Sequence, residues 1–574
     1  MERIWSRIEV LLAVVLLSAC VWQTGRTMTA MATSSLWTDE YGTVGTFSSK
    51  GPLRVVTDYR KPKNHVFFNL VNSVLPGRES FNPARVRMLS IGAAGAFLVI
   101  LVAYGIWRRA LFESSVVLTL WTFSVDSLPL GMEARGYGFL TLATLISFIG
   151  VTEYFRTSRA AWLYTAAGAV VLGTYTIPAF LIYGGPLMLL VWALRPTKRT
   201  FIVGVATAAL IGLLYSPLAS QFLTAFQSYG DQYGEGFNSL GSITKSMSVY
   251  LLAMSPTAYW LLIGGLLVAA VFAGVRWPER RGLLVVMGAA VAFFVVLLIL
   301  RTSPLRMTNM GWVPFMLAGI FGFGACLAML PWAGRAVIMI GVFGFLLAKI
   351  TPSLRTFQFE PQENWVLAGD IAHQAFPKSA GIEYLRYAKY LLYTLPDAKK
   401  RSADFDEKAY LAGEIIVVDS ANIDPSEWSR GQVFKRPAEE PHNATIVMWG
   451  GGRNFFYTFQ IPQVAHLLNL SPQLSDRDAS TGLPLNEPGI TLPAQDLKEG
   501  QSVVLLFQGE AKNVTFSAKE VGTSRDLSDL AIVTANSIIF PVPKTEGEKR
   551  SIEFTLRSAS HDTKLVEVWA TPPQ

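Results

Sequence analysis

Two adjacent carboxylates, Asp39 and Glu40, follow the first long apolar run of the chain, in the sequence LWTDEY at 36–41. A carboxylate held beside a hydroxyl group can remove its proton and act as a general base. An acid pair at a bilayer surface is what an enzyme needs when its substrate is a charged group carried by a lipid. The alternative is structural, because the two acids could equally cap a helix and occupy its solvated first turn.

Three further groups of ionisable side chains could serve the same chemistry. They are Lys61 and His65 in KPKNH, Glu133 and Arg135 in MEARGY, and Arg301 and Arg306 around Pro304. Acids and bases on one face of a membrane indicate a site that deprotonates an acceptor and stabilises charge on a phosphate. The alternatives are a packed histidine, a structural salt bridge in MEARGY, and cations that contact lipid headgroups.

The composition places these residues in a membrane protein. Of the 574 residues, 51% are hydrophobic and only 16% are charged, which is too apolar for one soluble domain. Through Thr351 there are 27 Lys and Arg against 13 Asp and Glu, and from Pro352 onward 22 against 28. The basic excess belongs to the membrane part, where basic loops set orientation, so it does not indicate nucleic-acid binding.

The apolar runs predict about eleven transmembrane helices, since roughly 17–25 apolar residues span a bilayer. They lie near 8–25, 88–107, 113–131, 137–155, 161–176, 177–194, 200–219, 249–273, 283–300, 310–330 and 335–351. Arginine and lysine in alternate loops predict a cytoplasmic N-terminus. An odd number of spans then places the C-terminal part outside. We therefore predict a transmembrane catalytic domain at 1–351 and a soluble extracytoplasmic domain at 352–574.

The outer loops carry most of the predicted chemistry. The first, at 26–87, has two stretches with helical spacing of apolar residues, which predict two short amphipathic helices lying on the membrane surface. They enclose the basic link at 60–63. A second irregular loop, at 220–248, could be a mobile lid or a plain connection.

The C-terminal part is predicted to be of mixed type. Helical character is expected at 381–390, and strands are expected at 414–419, 502–507, 536–540 and 565–569. A compact β-sandwich is expected from about residue 485. The predicted fold class is thus a polytopic α-helical membrane protein with a C-terminal α/β or β-sandwich domain.

The two cysteines, Cys20 and Cys326, lie in apolar segments and predict neither a disulfide nor a metal site. The sequence before Cys20, LSAC, also fits a lipoprotein cleavage box. We favour a retained transmembrane helix, because a lipid anchor adds nothing to a chain with many further spans.

Three motifs together resemble the GT-C superfamily of glycosyltransferases, with protein O-mannosyltransferases and the aminoarabinose transferase of lipid A as the nearest relatives. They are WTDE after the first span, KPKNH before a surface helix, and EARGY at the fourth span. The resemblance covers about 1–350. It implies a polyprenyl-phosphate-sugar donor and an envelope lipid, glycan or protein acceptor. It further implies an inverting transfer, metal-independent or weakly linked to a divalent metal, at the outer face of a bacterial inner membrane.

The resemblance also implies roles for the first-loop residues. Asp39 would be the general base that deprotonates the acceptor hydroxyl, and Glu40 would shape the acceptor side or orient Asp39. Lys61 or His65 would contact the donor phosphate. This chain has KPKNH where relatives have Lys-Pro-Pro or His-Pro, so the choice between the two stays open.

Later motif residues complete the expected site. Glu133 and Arg135 match the second-loop motif, and Arg306 matches a late-loop arginine expected near the phosphate. The alternative function is a polytopic transporter or lipid flippase with an accessory outer domain. Such a protein would show paired half-repeats and ionisable residues near mid-membrane, whereas the charges here cluster at one face. The sequence does not identify the sugar, the acceptor or the polyprenol.

Overall fold

The structure is a computed structural model. It describes residues 2–34, 36–59, 64–124, 127–221, 255–300, 305–355, 381–385, 415–421, 444–449, 456–461, 465–468, 483–485, 489–498, 501–508, 511–523, 525–533, 537–543, 550–558 and 563–570. The chain divides into two compact units, Met1–Ser34 with Asp39–Phe359, and Ser35–Thr38 with Glu360–Gln574.

The first unit is helical. Its described helices are α1 (Glu2–Thr33), α2 (Thr38–Thr46), α3 (Pro52–Thr57), α4 (Val66–Val74), α5 (Pro83–Arg108), α6 (Leu111–Phe123), α7 (Ser127–Met132), α8 (Tyr137–Thr157), α9 (Ala160–Thr176), α10 (Leu181–Leu194), α11 (Lys198–Tyr215), α12 (Pro256–Arg276), α13 (Arg281–Leu300), α14 (Leu305–Leu327) and α15 (Trp332–Arg355). The last helix continues through the predicted domain boundary at residue 351.

Eight described helices are long and apolar enough to cross a membrane: α1, α5, α8, α11, α12, α13, α14 and α15. The chain is therefore a multi-pass membrane protein, as predicted. Three other predicted spans are shorter helices. The run at 113–131 is divided between α6 and α7, and the 13 residues of α6 rise only about 20 Å against a hydrocarbon core of about 30 Å. The count of eleven spans stays a prediction.

Glycines bring the membrane helices into close contact. A Cβ at Gly150 of α8 would lie 2.7 Å from the backbone nitrogen of Ala166 in α9. A Cβ at Gly322 of α14 would lie 2.7 Å from Cα of Ala270 in α12. In a lipid environment, where apolar burial gives little net gain, such close backbone approach stabilises helix pairs through packing. The glycine positions thus fix these two crossings.

Two of the short helices, α2 and α4, match the predicted amphipathic stretches. In α4 the buried residues include Asn69 and Asn72 beside Val66 and Phe68, while Val74 on the opposite face is 65% exposed. Asn72 donates to Ser48 Oγ at 3.1 Å. An inward polar face is stable here because its side chains are hydrogen-bonded. Most of the predicted lid at 220–248 lies outside the described residues.

The second unit contains the strands β1 (Gly381–Leu385), β2 (Ile415–Ala421), β3 (Ala444–Trp449), β4 (Phe456–Ile461), β5 (Ala465–Leu468), β6 (Leu483–Pro484), β7 (Ile490–Leu497), β8 (Ser502–Gln508), β9 (Val514–Glu520), β10 (Ile532–Val533), β11 (Ser537–Pro541), β12 (Arg550–Ser558) and β13 (Lys564–Ala570). The first four form a sheet in the order β1-β2-β4-β3. The helix expected from residue 381 is wrong for 381–385, because this segment pairs in parallel with β2, and strand pairing overrides weak local preference.

The β-sandwich is confirmed. A three-stranded sheet, β7-β12-β9, and a six-stranded sheet, β10-β11-β8-β13-β5 with β6 beside β13, are both antiparallel. Side chains of both sheets share one core, which includes Phe554 from the first sheet and Phe507 and Phe540 from the second. The second sheet begins earlier than expected, since β5 precedes residue 485.

The close crossing of α8 and α9 yields a test of the fold. Gly150→Leu should lower the midpoint of thermal unfolding, because its side chain would overlap the backbone of α9, and overpacking costs about 1–3 kcal/mol. Gly168→Leu in α9 is the matched control, since a Cβ there meets nothing within 4 Å. Both are measured on the full chain purified in detergent. Equal midpoints for the two variants would show that the crossing tolerates a side chain.

Candidate active site

The turn at 133–136, which joins α7 to α8, is the meeting point of the predicted motifs. Three of its residues each bind one residue of the first loop. The contacts are Arg135 Nη1 to Asp39 Oδ2 at 3.0 Å, Ala134 N to Glu40 Oε1 at 2.6 Å, and Gly136 N to His65 Nδ1 at 2.9 Å. Segments that are distant in sequence thus converge on four consecutive residues.

Asp39 is the partly exposed member of the acid pair. Its side chain is 17% exposed, whereas the side chain of its partner Arg135 is 7% exposed. The guanidinium of Arg135 also lies over the ring of Tyr137, 5.1 Å from the centroid, which helps to fix its position. A guanidinium at 3.0 Å stabilises the charged form of a carboxylate. Asp39 is therefore held in place by a cationic partner and keeps partial contact with solvent.

Glu40 is wholly buried. Its Oε1 accepts from Nε of Arg87 at 2.7 Å, and its Oε2 is paired with Nη2 of the same guanidinium. With the N–H of Ala134 the carboxylate has three donors. A carboxylate enclosed in this way does not face an acceptor, which favours the supporting role expected for Glu40 over a direct contact with substrate.

Arg87 is a residue of this site that the sequence reasoning missed. It lies in the first turns of α5 and is 2% exposed. Besides Glu40 it binds the carbonyl of Met31, and the carbonyl and hydroxyl of Ser34 at 2.9 Å each. One guanidinium therefore joins the end of α1 to α2 and α5. An available signal was a pair of arginines, Arg85 and Arg87, at the end of a span that is predicted to lie outside, where the positive-inside pattern expects few.

His65 stands at the N-terminus of α4 and is 3% exposed. Because its Nδ1 accepts the N–H of Gly136, the proton of the neutral ring is on Nε2. The ring packs edge-on against Tyr137, with centroids 5.2 Å apart. Gly136 makes this approach possible, since a Cβ there would collide with Cγ2 of Thr176 and lie 3.1 Å from Nδ1.

Asn64, next to His65, holds the first loop together. Its buried amide donates to the carbonyls of Val55 and Asp58, both at 2.8 Å, and so ties α4 to the end of α3. Its carbonyl oxygen accepts from Asn69 at 3.1 Å. At the other end of this region, the side chain of Gln221 accepts from Tyr59 N at 2.8 Å. These bonds fix the chain immediately before and immediately after the basic link at 60–63.

The structure brings together five of the eight predicted site residues: Asp39, Glu40, His65, Glu133 and Arg135. Glu133 is buried within the 133–136 turn. Lys61 and Arg301 lie outside the described residues, and Arg306 is in the first turn of α14, with its side chain outside the described part.

The donor set around the acids does not favour a metal ion. In the described part of the chain, no group of three or more His, Cys, Asp or Glu is arranged to hold one. Asp39 and Glu40 each have a guanidinium as partner, and a positive charge at that position repels a divalent cation. These two carboxylates therefore fit proton transfer and positioning better than metal ligation.

The pair of Glu40 and Arg87 yields a test of the site's support. Arg87→Met should destabilise the protein by about 3–5 kcal/mol, because it leaves a buried carboxylate without its counter-charge. Adding Glu40→Gln should recover part of that loss. The free energy of unfolding of the two single variants and the double variant, measured on the full chain in detergent, gives the coupling energy of the pair. Arg78→Met is the control, since the Arg78 side chain is 44% exposed. Fully additive losses would contradict a coupled pair.

No protein-family model matches the sequence. No curated protein matches it either.

Comparison with solved structures finds distant likenesses to membrane glycosyltransferases. ArnT from Cupriavidus metallidurans bound to undecaprenyl phosphate has 13% identity and a TM-score of 0.45, over 79% of this chain and 98% of that chain. AftD, an arabinofuranosyltransferase from Mycobacteria, has 11% identity and a TM-score of 0.40, over 99% of this chain and 60% of that chain. EmbB, an arabinosyltransferase from Mycobacterium smegmatis, has 11% identity and a TM-score of 0.38, over 98% of this chain and 64% of that chain.

All three proteins are GT-C glycosyltransferases, the superfamily that the sequence motifs resemble. With TM-scores below 0.5, these likenesses do not by themselves carry an activity, a donor or an acceptor to this chain.

Proposed function

We propose that this chain is a GT-C glycosyltransferase that moves a sugar from a polyprenyl-phosphate donor to a hydroxyl group of an envelope lipid, glycan or protein. The observation that carries the proposal is the contact between Asp39 and Arg135. It joins the acid of the first-loop motif to the base of the second-loop motif, at a position that a substrate can reach. A helix cap alone would not require this long-range partner.

The chemistry is a single displacement. Asp39 accepts the proton of the acceptor hydroxyl while the acceptor oxygen bonds to the anomeric carbon of the sugar. The bond from that carbon to the phosphate oxygen breaks, and polyprenyl phosphate leaves with the electron pair. Attack opposite the leaving group inverts the anomeric configuration. The reaction needs no oxidant, no reductant and no covalent enzyme intermediate.

The leaving phosphate needs positive charge beside it, because negative charge accumulates on its oxygens as the bond breaks. The candidates are Lys61, Arg301 and Arg306, with His65 as the alternative to Lys61. Arginine is well suited to this role, since its planar fork can donate two hydrogen bonds to a phosphate. Arg135 has a different task, because it already holds Asp39.

The proposed location is a bacterial inner membrane with the N-terminus in the cytoplasm. Basic residues in alternate loops support this orientation. Asp39 would then act at the outer face, with the catalytic domain at 1–351 and the extracytoplasmic domain at 352–574. Partners of the chain would be the lipid-linked sugar, the acceptor and the surrounding bilayer.

A transporter or flippase is the alternative, and the described ion pairs do not favour it. These described pairs lie near helix ends: Glu40 with Arg87, Glu153 with Arg108 and Arg156, and Glu9 with Arg335. Transporters place their coupling residues near mid-membrane, at breaks in helices.

Asp39→Asn tests the assignment of the base. Transfer from polyprenyl-phosphate sugars should fall by about 10²–10⁴-fold, which is the usual contribution of a general base. The unfolding midpoint should change little, because the amide still accepts from Arg135. Glu79→Gln, a change of an exposed acid in the same loop, is the matched control. Normal turnover by Asp39→Asn would overturn the assignment.

Variants of the basic candidates test the donor side. Lys61→Ala and Arg306→Ala should each raise KM for the lipid-linked sugar by about tenfold, as expected for loss of one charged hydrogen bond, with little change in KM for the acceptor. Lys50→Ala, in the exposed lysine of the same loop, serves as control. Equal increases for both substrates would argue against a phosphate contact.

A further inference from the structure

A cavity lies in the first unit, at the end of the bundle opposite Asp39. A cleft of about 410 Å³ is lined by α6, α12, α14 and α15. Most of its lining is apolar, including Leu120, Leu262 and Phe345. Among the described residues that line it, Glu113 and Arg335 alone carry a formal charge. The volume is within the range of about 300–1,000 Å³ that is usual for sites of small ligands.

A neighbouring cavity of about 300 Å³ adjoins this cleft. It is lined by α1, α15 and the residues between α14 and α15, and it shares Arg335 and Met339 with the cleft. Arg335 is paired there with Glu9. The apolar cleft therefore adjoins, at Arg335, a second cavity whose charged residues are Glu9 and Arg335.

The fold makes room for the carboxylate of Glu113. A Cβ at Gly324 of α14 would collide with Glu113 Oε1, so glycine at this position lets the acid lie between α6 and α14. An ionisable side chain within apolar helices is unfavourable unless something compensates it, which makes it a candidate for ligand binding.

Charges of both signs line the two cavities. The acids are Glu9 and Glu113, and the base is Arg335, which is paired with Glu9. A headgroup that carries one phosphate and one ammonium complements such a set, whereas a purely anionic headgroup meets two carboxylates. A primary ammonium also donates hydrogen bonds to carboxylates, which a trimethylated one cannot do.

We propose that this cleft binds one phosphatidylethanolamine molecule. One acyl chain occupies the apolar slot, the phosphate lies at Arg335, and the ammonium lies at Glu9 and Glu113. The site is separate from the proposed active site. From Glu9 to the last residue of α1 the helix rises roughly 36 Å, and that last residue, Thr33, adjoins the Ser34 bound by Arg87.

Native mass spectrometry of the full chain in detergent tests the proposal. Phosphatidylethanolamine, phosphatidylcholine and phosphatidylglycerol of identical acyl composition are titrated separately. Phosphatidylethanolamine should bind about tenfold more tightly than the other two, as expected for one charge-assisted hydrogen bond. Equal binding of all three lipids would overturn the proposal.

Two glycines supply a matched pair of variants. Gly265 lines the cleft and Gly264 does not, and a Cβ at either position meets nothing within 4 Å. Gly265→Leu should fill the slot and abolish phosphatidylethanolamine binding, while Gly264→Leu should leave it unchanged. Gly341→Leu, also in the cleft, and Gly344→Leu form a second such pair on α15. Retained binding in Gly265→Leu and Gly341→Leu would overturn the location.

Glu113→Gln tests the headgroup contact separately from the slot. It should remove the preference for phosphatidylethanolamine over phosphatidylcholine while binding of the acyl chain persists. An unchanged preference would overturn the role of Glu113. The unfolding midpoint of each variant without added lipid shows whether it is folded before its binding is compared.

Discussion

The buried ion pair between Glu40 and Arg87 is the interaction on which the candidate site depends. Removing two charges from water is unfavourable unless they meet with good geometry and their other hydrogen-bonding groups are satisfied. Here the guanidinium meets the carboxylate at two points and also holds the end of α1. The N–H of Ala134 uses the same carboxylate. Asp39 is consequently placed by the bonds of its neighbour in the chain.

Adjacent carboxylates in different surroundings take different roles. Glu40 is enclosed by hydrogen-bond donors, whereas Asp39 is paired with Arg135 and keeps contact with solvent. This asymmetry follows from the helical turn at the start of α2, which directs successive side chains about 100° apart. Glu40 then faces the protein interior while Asp39 faces outward, and a single motif supplies both a supporting group and the group proposed to react.

Local sequence patterns predicted much of this structure. The features that they missed depend on contacts between residues far apart in the sequence. Apolar run length located the membrane helices, and motif order indicated that Asp39, His65 and Arg135 share a site. Arg87 was missed, because an arginine at a span end is usually a headgroup contact, and its partner lies 47 positions away. Residues 381–385 were expected in a helix, but their structure depends on β2. For α4 the helical periodicity was predicted correctly. Periodicity alone does not determine which face of a helix packs against the protein, because in a membrane lipid can cover apolar side chains.

The bond from Gly136 to His65 ties the position of the histidine to the backbone of a distant turn. Nδ1 accepts the N–H of Gly136, and the ring packs edge-on against Tyr137. A shift of the turn at 133–136 would therefore move the imidazole with it. The place of His65 is thus set by the same four residues that bind Asp39 and Glu40, so the three side chains can move only together.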